Sequence, residues 1–351
     1  MTPLTQFTTA NFFNLNYVNE LGKAGSASFS VKVKDPKATT DNLKLFNKVK
    51  IYKDAQFKWS GFIENISCDL NRIDIKCSGM LNIFAKRNLS YSTTMGQPLT
   101  SEFYKILNVL TNNVDDTYID QGVSESVINI NVQEFNDASV LSAFEKLADL
   151  DNKLLQIDEN NQLNLLTKIG SDKSNSIIFQ YAVNQIVSST IFEFNLEIDG
   201  KDMANSVAGK AENLSSYQSD AVSIAEFGRL ETRENFGGTK NITDLQRETL
   251  SYLENHKYEI ITPTLKPNPL KINPDSYDIG DTVKVFLDNG FVSVNQNHDI
   301  IRKSVNIKDS GFEDVEIDLI PSGSNILKSN FFREINKMNK RLITIEGIVL
   351  K

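Results

Sequence analysis

The chain has 351 residues, more than one ordinary compact domain uses and enough for two or three. Its 45 Asp and Glu residues exceed its 37 Lys and Arg residues, so the formal net charge is −8. This balance argues against a general binder of nucleic acids or anionic membranes, because such binding needs a basic surface. Hydrophobic residues at 40% and charged residues at 23% exclude a wholly disordered, collagenous or coiled-coil protein.

Two sequence features bear on the compartment of the protein. The first residues lack the basic and apolar segments of a secretory signal. No apolar run reaches the roughly 18 to 20 residues that cross a bilayer, so we expect no membrane binding by this chain. Cys68 and Cys77 flank a predicted tight turn at staggered positions, which predicts two thiols and no disulfide.

The segment 1–97 has the pattern of antiparallel β-strands. Apolar residues alternate with polar ones, for example at Phe29 and Val31, and turn residues separate the alternating runs. Gly61 and Gly79 stand at expected bends or bulges of a curved sheet. We predict a small β-barrel or β-sandwich for this segment.

The segment 98–170 changes to a helical period and predicts a small α/β module. Ser101 is placed to cap a first helix and Asp137 a second. Between the second helix and the end of the segment, Glu159 to Asn161 mark the turn of a hairpin. Residues predicted to face the core recur at intervals of three and four: Phe103, Ile106, Leu107 and Leu110 in the first helix, and Val140, Leu141, Phe144 and Leu147 in the second.

The segment 171–323 returns to strands, which one predicted helix near 243–255 interrupts. Thr243 and Gln246 fit a capping box at the start of this helix. Its predicted apolar face consists of Leu245, Thr249, Leu250 and Leu253. 

A proline-rich stretch follows the inserted helix. Four of the chain's eight prolines lie between Pro263 and Pro274. Because proline removes a backbone donor, this stretch predicts an extended connector rather than a central strand.

The last segment, 324–351, predicts a helix with a heptad seam, since apolar residues recur at intervals of 4, 3, 4 and 3. Two heptads are too short to hold a coiled coil alone. The helix either packs on its own domain or meets a second copy or a partner's helix. The candidate oligomer or fibre interface is Phe331, Ile335, Met338, Leu342 and Ile345.

The motifs of common active sites are absent from the sequence. Its two histidines, His256 and His298, stand in unrelated contexts and are too few for a zinc site. No phosphate-binding, dinucleotide-binding or hydrolase motif is present. The run from Asp278 to Asp281 lacks the alternating ligands of a calcium loop and predicts a tight turn. We therefore expect no metal, no cofactor and no catalytic residue.

The order of segments resembles that of phage tail hub proteins, a family that includes siphophage minor tail proteins and the trimeric baseplate hub of contractile-tail phages. The resemblance covers about 25 to 322. The segments that carry it are Phe29-Ser-Val-Lys-Val33, Val49-Lys-Ile-Tyr52, Trp59-Ser-Gly-Phe-Ile63, Arg72-Ile-Asp-Ile-Lys-Cys-Ser-Gly-Met-Leu81, Ala138-Ser-Val-Leu-Ser-Ala-Phe144, Asn205-Ser-Val-Ala-Gly209, Gly228-Arg-Leu-Glu231, Leu250-Ser-Tyr-Leu253 and Tyr277-Asp-Ile-Gly-Asp281.

The resemblance implies an α+β, mainly β fold with two tail-tube-like antiparallel β-barrels. The barrels would be 1–97 and 171–323, with the α/β insertion module at 98–170 and the C-terminal helix at 324–351. Three such chains would present six barrels, which can continue a six-fold tube on one side and seat a three-fold fibre or spike on the other.

The resemblance also implies a location and a set of partners. It places the chain in the virion, at the tail tip or baseplate, as a structural protein without enzymatic activity. The implied partners are two further copies in a homotrimer, the distal tail or tail tube ring, the tape measure protein and a central fibre or spike. Genomic DNA would only pass through, and carboxylates in the lumen would keep it from adhering.

Two other functions stay open on the sequence alone. One is a distal tail ring protein whose accessory module binds host saccharide through an aromatic groove with Tyr91, Tyr104 or Tyr217. The other is a peptidoglycan hydrolase that uses two carboxylates. Its candidate residues are Asp115, Asp116 and Glu145.

Overall fold

The computed structural model describes residues 12–113, 119–130, 132–182, 188–236, 239, 241–290, 293–308 and 311–322. These residues fall into two compact units, the first formed by 12–194 and 264–322 and the second by 195–263. The predicted C-terminal helix, with its five candidate interface residues, lies outside the described residues. The four-part division that the sequence predicts stays a prediction.

The first five strands of the chain are antiparallel neighbours in the order β1-β2-β5-β4-β3. Gly79 allows two backbones to approach closely, because a Cβ at this position would lie 1.5 Å from the Ala24 carbonyl oxygen. In the β4–β5 hairpin Cys68 is opposite Ile73 rather than Cys77, and both thiols are free, as predicted. The strands are β1 (Phe12–Glu20), β2 (Ser26–Lys32), β3 (Lys48–Lys53), β4 (Gln56–Cys68) and β5 (Arg72–Gly79).

An α/β module follows, as the change of period predicts. Both helices begin at residues other than those predicted: Ser101 lies inside α1, and Ser139 rather than Asp137 caps α2 by accepting the Ser142 NH. The module begins with a 3-10 helix (Met80–Lys86). It continues with β6 (Asn88–Ser92), β7 (Gln97–Pro98), α1 (Leu99–Asn113), β8 (Asp120–Ser124), β9 (Asn129–Ile130), β10 (Glu134–Ser139), α2 (Val140–Leu150), β11 (Leu154–Ile157) and β12 (Gln162–Leu166).

The rest of the described chain contains nine strands and two α-helices. A 3-10 turn (Pro274–Ser276) precedes the last three strands. The elements are β13 (Ile178–Ala182), β14 (Ile191–Asp199), β15 (Ser206–Ala211), β16 (Leu214–Ser219), α3 (Ala221–Phe227), β17 (Glu231–Asn235), α4 (Ile242–His256), β18 (Ile260–Pro267), β19 (Thr282–Asp288), β20 (Ser293–Ile307) and β21 (Glu313–Pro321).

Eleven of the described strands form one large sheet. Its main order is β14-β18-β21-β20-β1-β2-β5-β4-β3, and β13 joins through β19, which pairs with β20. Strand β1 pairs with β20, with Leu15 opposite Ile307, so the two predicted barrel segments share this sheet. The described strand pairs do not close into a barrel. The predicted α+β, mainly β class is confirmed.

Part of the proline-rich stretch is a paired strand, which corrects the predicted connector. Thr264 and Leu265 of β18 pair with Asp318 and Ile317 of β21, and Leu265 is fully buried. The strand fits here because Pro263 comes immediately before these two paired residues, neither of which is proline.

Among the described residues of the first unit, two hydrophobic cores are present. One lies against the large sheet and includes Trp59, Phe179 and Tyr277. The other fills the α/β module, where the Phe144 ring packs 5.0 Å from Phe84 and 4.6 Å from Phe103. Six of the predicted core-facing residues are buried, namely Phe103, Ile106, Leu107, Val140, Phe144 and Leu147, and Leu141 is partly buried against the same core. The side chain of Leu110 lies outside the described residues, and the predicted caps are wrong.

The second unit has a three-stranded sheet in the order β16-β15-β17, with α4 packed on it. A Cβ at Gly209 would lie 2.1 Å from the Thr249 Oγ1, so glycine lets the helix approach the sheet. Asn241, not Thr243, caps α4, because its side chain accepts the Asp244 NH. Leu250, predicted to face the core, is exposed.

Candidate functional site

No group of three or more His, Cys, Asp or Glu residues that could hold a metal ion occurs among the residues that the structure describes. In the second unit the His256 ring stacks on Tyr252 at 3.9 Å. In the first unit His298 is buried, and its Nδ1 lies 3.3 Å from the Gln296 carbonyl oxygen. Within the same described residues, no helix is long and apolar enough to span a membrane.

The Asp278–Asp281 run forms the predicted tight turn. The Asp281 carboxylate accepts hydrogen bonds from the Asp278 NH at 2.7 Å and the Ser171 NH at 2.8 Å, and its Oδ2 lies 2.8 Å from the Lys173 Nζ. Burial pushes the pKa of Asp281 up, but these hydrogen bonds outweigh it and hold the pKa below its ordinary value. The carboxylate thus joins two chain segments and is saturated by protein donors.

The carboxylates proposed for a hydrolase do not form a site in the described residues. Glu145 Oε1 lies 2.8 Å from the Lys23 Nζ, in an ion pair that links α2 to the turn after β1. Asp115 and Asp116 lie outside the described residues.

The tyrosines proposed for a saccharide groove have partners within the protein. Tyr91 donates its hydroxyl hydrogen bond to the buried Glu102 at 2.7 Å, and Tyr104 donates to the Gly122 carbonyl oxygen at 2.9 Å. Burial and the Glu102 carboxylate raise the pKa of Tyr91 to about 12. In the second unit Tyr217 is exposed and accepts a hydrogen bond from Arg229 at 2.8 Å.

A network of charged residues joins the two parts of the chain that form the large sheet. Asp275 lies 2.7 Å from both the Lys53 and the Lys58 ammonium groups, and Lys53 also lies 2.8 Å from Glu313. The buried Lys303 donates hydrogen bonds to the Tyr277 carbonyl oxygen at 2.6 Å and to the Pro274 carbonyl oxygen at 2.9 Å. These contacts hold the 3-10 turn against β3, β4 and β20. The network is structural, because every charge in it has a protein partner.

Among the described residues, β3 and β14 stand at the two ends of the main strand order of the large sheet. At one end β3 carries exposed Lys48 and Lys50. At the other end β14 exposes apolar Phe192 and Ile198 together with acidic residues. Sequence reasoning assigned both segments as strands but missed that they are the outer strands. The alternation in β14 was visible in the sequence, whereas its position in the sheet depends on distant pairing.

Comparison with solved structures gives the fold a context. The tail protein from Neisseria meningitidis MC58 matches with 12% identity over 91% of this chain and 95% of that chain, with a TM-score of 0.67. The 43 kDa tail protein of prophage MuSo2 from Shewanella oneidensis matches with 13% identity over 90% of this chain and 95% of that chain, with a TM-score of 0.66.

A third structure is the E. coli c3393 protein, a type VI secretion component described as structurally similar to the T4 tail proteins gp27 and gp5. It matches with 8% identity over 90% of this chain and 74% of that chain, with a TM-score of 0.54. No family model and no curated protein sequence matches the chain. The resemblance read from the sequence is confirmed at the level of the fold: this chain has the fold of phage tail proteins.

Proposed function

We propose that the chain is a structural hub of a phage tail tip or baseplate. The observation that carries the proposal is the extent of the fold match, which covers about nine tenths of this chain and nearly all of two tail proteins. The described similarity of the c3393 protein to gp27 and gp5 favours a hub over other tail components.

The proposed hub is a homotrimer in which each chain supplies two tube-like barrels. Six barrels continue the six-fold tail tube, and the three-fold arrangement seats a central fibre or spike. The neighbours of the hub in this proposal are the distal tail or tube ring, the tape measure protein and the fibre or spike. DNA passes through the ring, and the chain has no catalytic role.

In this proposal the C-terminal seam contacts the fibre or the other copies of the chain. Its apolar residues recur with the heptad spacing of helices that pack side by side. Three such helices would meet on the three-fold axis, where the fibre or spike begins. The seam residues are Phe331, Ile335, Met338, Leu342 and Ile345.

Gold-labelled antibodies against the chain, applied to particles from the cells that encode it, test the location. We expect label at the distal end of the tail and none on the head. Particles that infect normally and contain no detectable copy of the chain by mass spectrometry would contradict the proposal.

A further inference from the structure

The first unit has a cavity near the ends of β1, β2 and β5. Its volume is about 450 Å³, within the range typical of ligand pockets. Three cations line it, namely Lys32, Lys34 and Arg72. Lys32 is the last residue of β2, and Arg72, the first residue of β5, lies directly opposite it in the sheet. The fold therefore gathers three positive charges around one concave surface.

The two lysines have no counter-ion in the part of the chain that the structure describes. Both are exposed, and neither ammonium group forms an ion pair or a hydrogen bond with a described residue. Lys32 lies opposite Arg72 in the strand pair, where two like charges repel each other. An anion bound in the cavity would offset this repulsion, so the cavity favours a negatively charged ligand.

The carboxylates beside the cavity have other partners. Asp69 accepts hydrogen bonds through Oδ1 from the backbone NH groups of Asn71 and Arg72, both at 2.8 Å. The Arg72 Nε lies 3.0 Å from Asp74 Oδ2 and 4.0 Å from Asp69 Oδ2. These contacts hold the turn between β4 and β5 and orient Arg72. They leave the charges of the two lysines available to a ligand.

Apolar side chains also line the cavity and indicate which kind of anion it fits. Leu70, at the tip of the β4–β5 turn, is 91% exposed, and Phe13 of β1 is half-buried. An acidic peptide with an apolar residue can cover Leu70, whereas the phosphates of a nucleic acid backbone cannot bury apolar surface. Residues 1–11, which precede β1, contain no Asp or Glu and so cannot supply the anion through a side chain.

We propose that this cavity binds an acidic segment of a partner protein. Carboxylates of the segment pair with Lys32 and Lys34, and a neighbouring apolar side chain packs on Leu70. Charge-assisted pairs of this kind are among the stronger hydrogen bonds of proteins, and the apolar contact distinguishes a peptide from a simple anion. The inference goes beyond the proposed hub role and does not depend on it, because its evidence lies within one cavity of the first unit.

Fluorescence anisotropy with the purified full chain tests the proposal, with a fluorescein-labelled peptide of the order Glu-Glu-Leu-Glu-Glu as the probe. We expect Lys32→Glu with Lys34→Glu to weaken peptide binding at least about tenfold, because acids then face acids. Lys44→Glu with Lys76→Glu is the matched control, since these lysines are exposed, unpaired among the described residues and outside the cavity. The control changes the net charge equally, and we expect less than about a twofold effect on binding.

A second pair of variants tests the apolar contact. Leu70→Ser removes the exposed side chain beside the lysines, and Leu270→Ser is its control, because Leu270 is 88% exposed and does not line the cavity. We expect Leu70→Ser to weaken peptide binding about threefold to tenfold and Leu270→Ser to leave it unchanged. A probe with Gln in place of Glu should bind at least about tenfold more weakly, and added salt should weaken binding of the original probe. Circular dichroism of each variant confirms that the fold is retained.

Four results would overturn the proposal. One is the absence of saturable peptide binding up to about 1 mM, and another is equal binding by the two double-lysine variants. A third is tighter binding of a fluorescein-labelled thymidine oligonucleotide of equal charge that Leu70→Ser leaves unchanged, which would assign a nucleic acid to the cavity. The fourth is self-association, without peptide binding, that only the changes at Lys32 and Lys34 abolish, which would assign a second copy of the chain. None of these results bears on the hub role, which the particle labelling tests.

Discussion

The Lys58 ammonium group lies 2.7 Å from the carboxylate of Asp275, a residue 217 positions later in the chain. The same carboxylate lies 2.7 Å from Lys53. Through these contacts a turn near the end of the chain is held against strands near its beginning. The large sheet therefore combines strands from both parts of the chain.

Asp275→Asn tests the contribution of this contact to stability. Two partly buried lysines lose their shared counter-ion, and we expect the free energy of unfolding to fall by about 1 to 2 kcal/mol, between the values for surface and buried pairs. Urea denaturation measures the free energy of unfolding of each variant. Glu64→Gln is the control, because its pair with Lys86 is largely exposed and should contribute less than about 0.5 kcal/mol. Equal losses in the two variants would contradict this account.

His298 predicts a decrease in stability at mildly acidic pH. Its side chain is fully buried, and burial lowers its pKa, so the folded protein binds a proton less readily than the unfolded chain. The stability it contributes is present above the unfolded pKa of about 6.5 and decreases as the pH falls below that value. The slope from this group is at most about 1.4 kcal/mol per pH unit.

His298→Leu removes this titration while keeping an apolar group in the site. We expect the melting temperature of the unchanged chain to fall between pH 7.5 and pH 5 more steeply than that of the variant. The measurement is a series of thermal melts at constant ionic strength. Parallel curves for the two proteins would show that His298 titrates normally in the folded state.

Glu102 is a fully buried carboxylate that organises the α/β module. It accepts hydrogen bonds from the Tyr91 hydroxyl at 2.7 Å and from Lys105 at 2.6 Å. We expect Glu102→Ala to lower the free energy of unfolding by about 3 kcal/mol, because the hydroxyl loses its acceptor and a cavity forms. Lys105→Ala should cost less than about 1 kcal/mol, since Lys105 is half exposed. A larger loss in the lysine variant would contradict this order.

Gly280 and Gly290 form a matched pair for a test of the Asp278–Asp281 turn. Both have positive φ, 78° and 84°, but a Cβ on Gly280 would lie 2.1 Å from the Ile169 carbonyl oxygen, whereas nothing lies within 4 Å at Gly290. We expect Gly290→Ala to cost about 1 kcal/mol of backbone strain and Gly280→Ala clearly more, about 3 kcal/mol or above. Chemical denaturation of both variants gives the comparison, and equal costs would show that the turn moves to accept the methyl group.

The C-terminal seam predicts an effect on assembly rather than on folding. Ile335→Ser with Leu342→Ser removes two apolar seam residues. We expect the proposed trimer of this variant to dissociate at a concentration at least tenfold higher than the trimer of the unchanged chain. A factor of ten in the dissociation constant corresponds to about 1.4 kcal/mol. Lys337→Ser, beside the seam, should leave the solution mass unchanged. Light scattering over a range of concentrations measures the solution mass of each protein. Identical dissociation of all three proteins would assign the seam to packing on its own domain.

The sequence predicted local features of the fold well where one face of an element decides its burial. Phe103, Phe144 and Leu253 are buried as their periodicity indicates. Helix starts were less predictable, because Ser139 and Asn241 compete as caps with nearby residues of similar chemistry.

Sheet order and the outer strands could not be read from local pattern. The pairing of Leu15 with Ile307 and the contact of Lys58 with Asp275 join residues far apart in the chain, and alternation says nothing about which strand is the neighbour. For the same reason the sequence showed the two faces of β14 but not that the strand ends the sheet. The position of β14 in the sheet therefore emerged only from the three-dimensional arrangement.

Electron cryomicroscopy of the distal tail end, from particles of the cells that encode the chain, tests the central claim most directly. We predict three copies of the chain in a ring between the six-fold tube and a three-fold fibre or spike. Six equivalent copies around the axis would instead indicate a distal tail ring, and density without this chain would contradict a role in the tail tip.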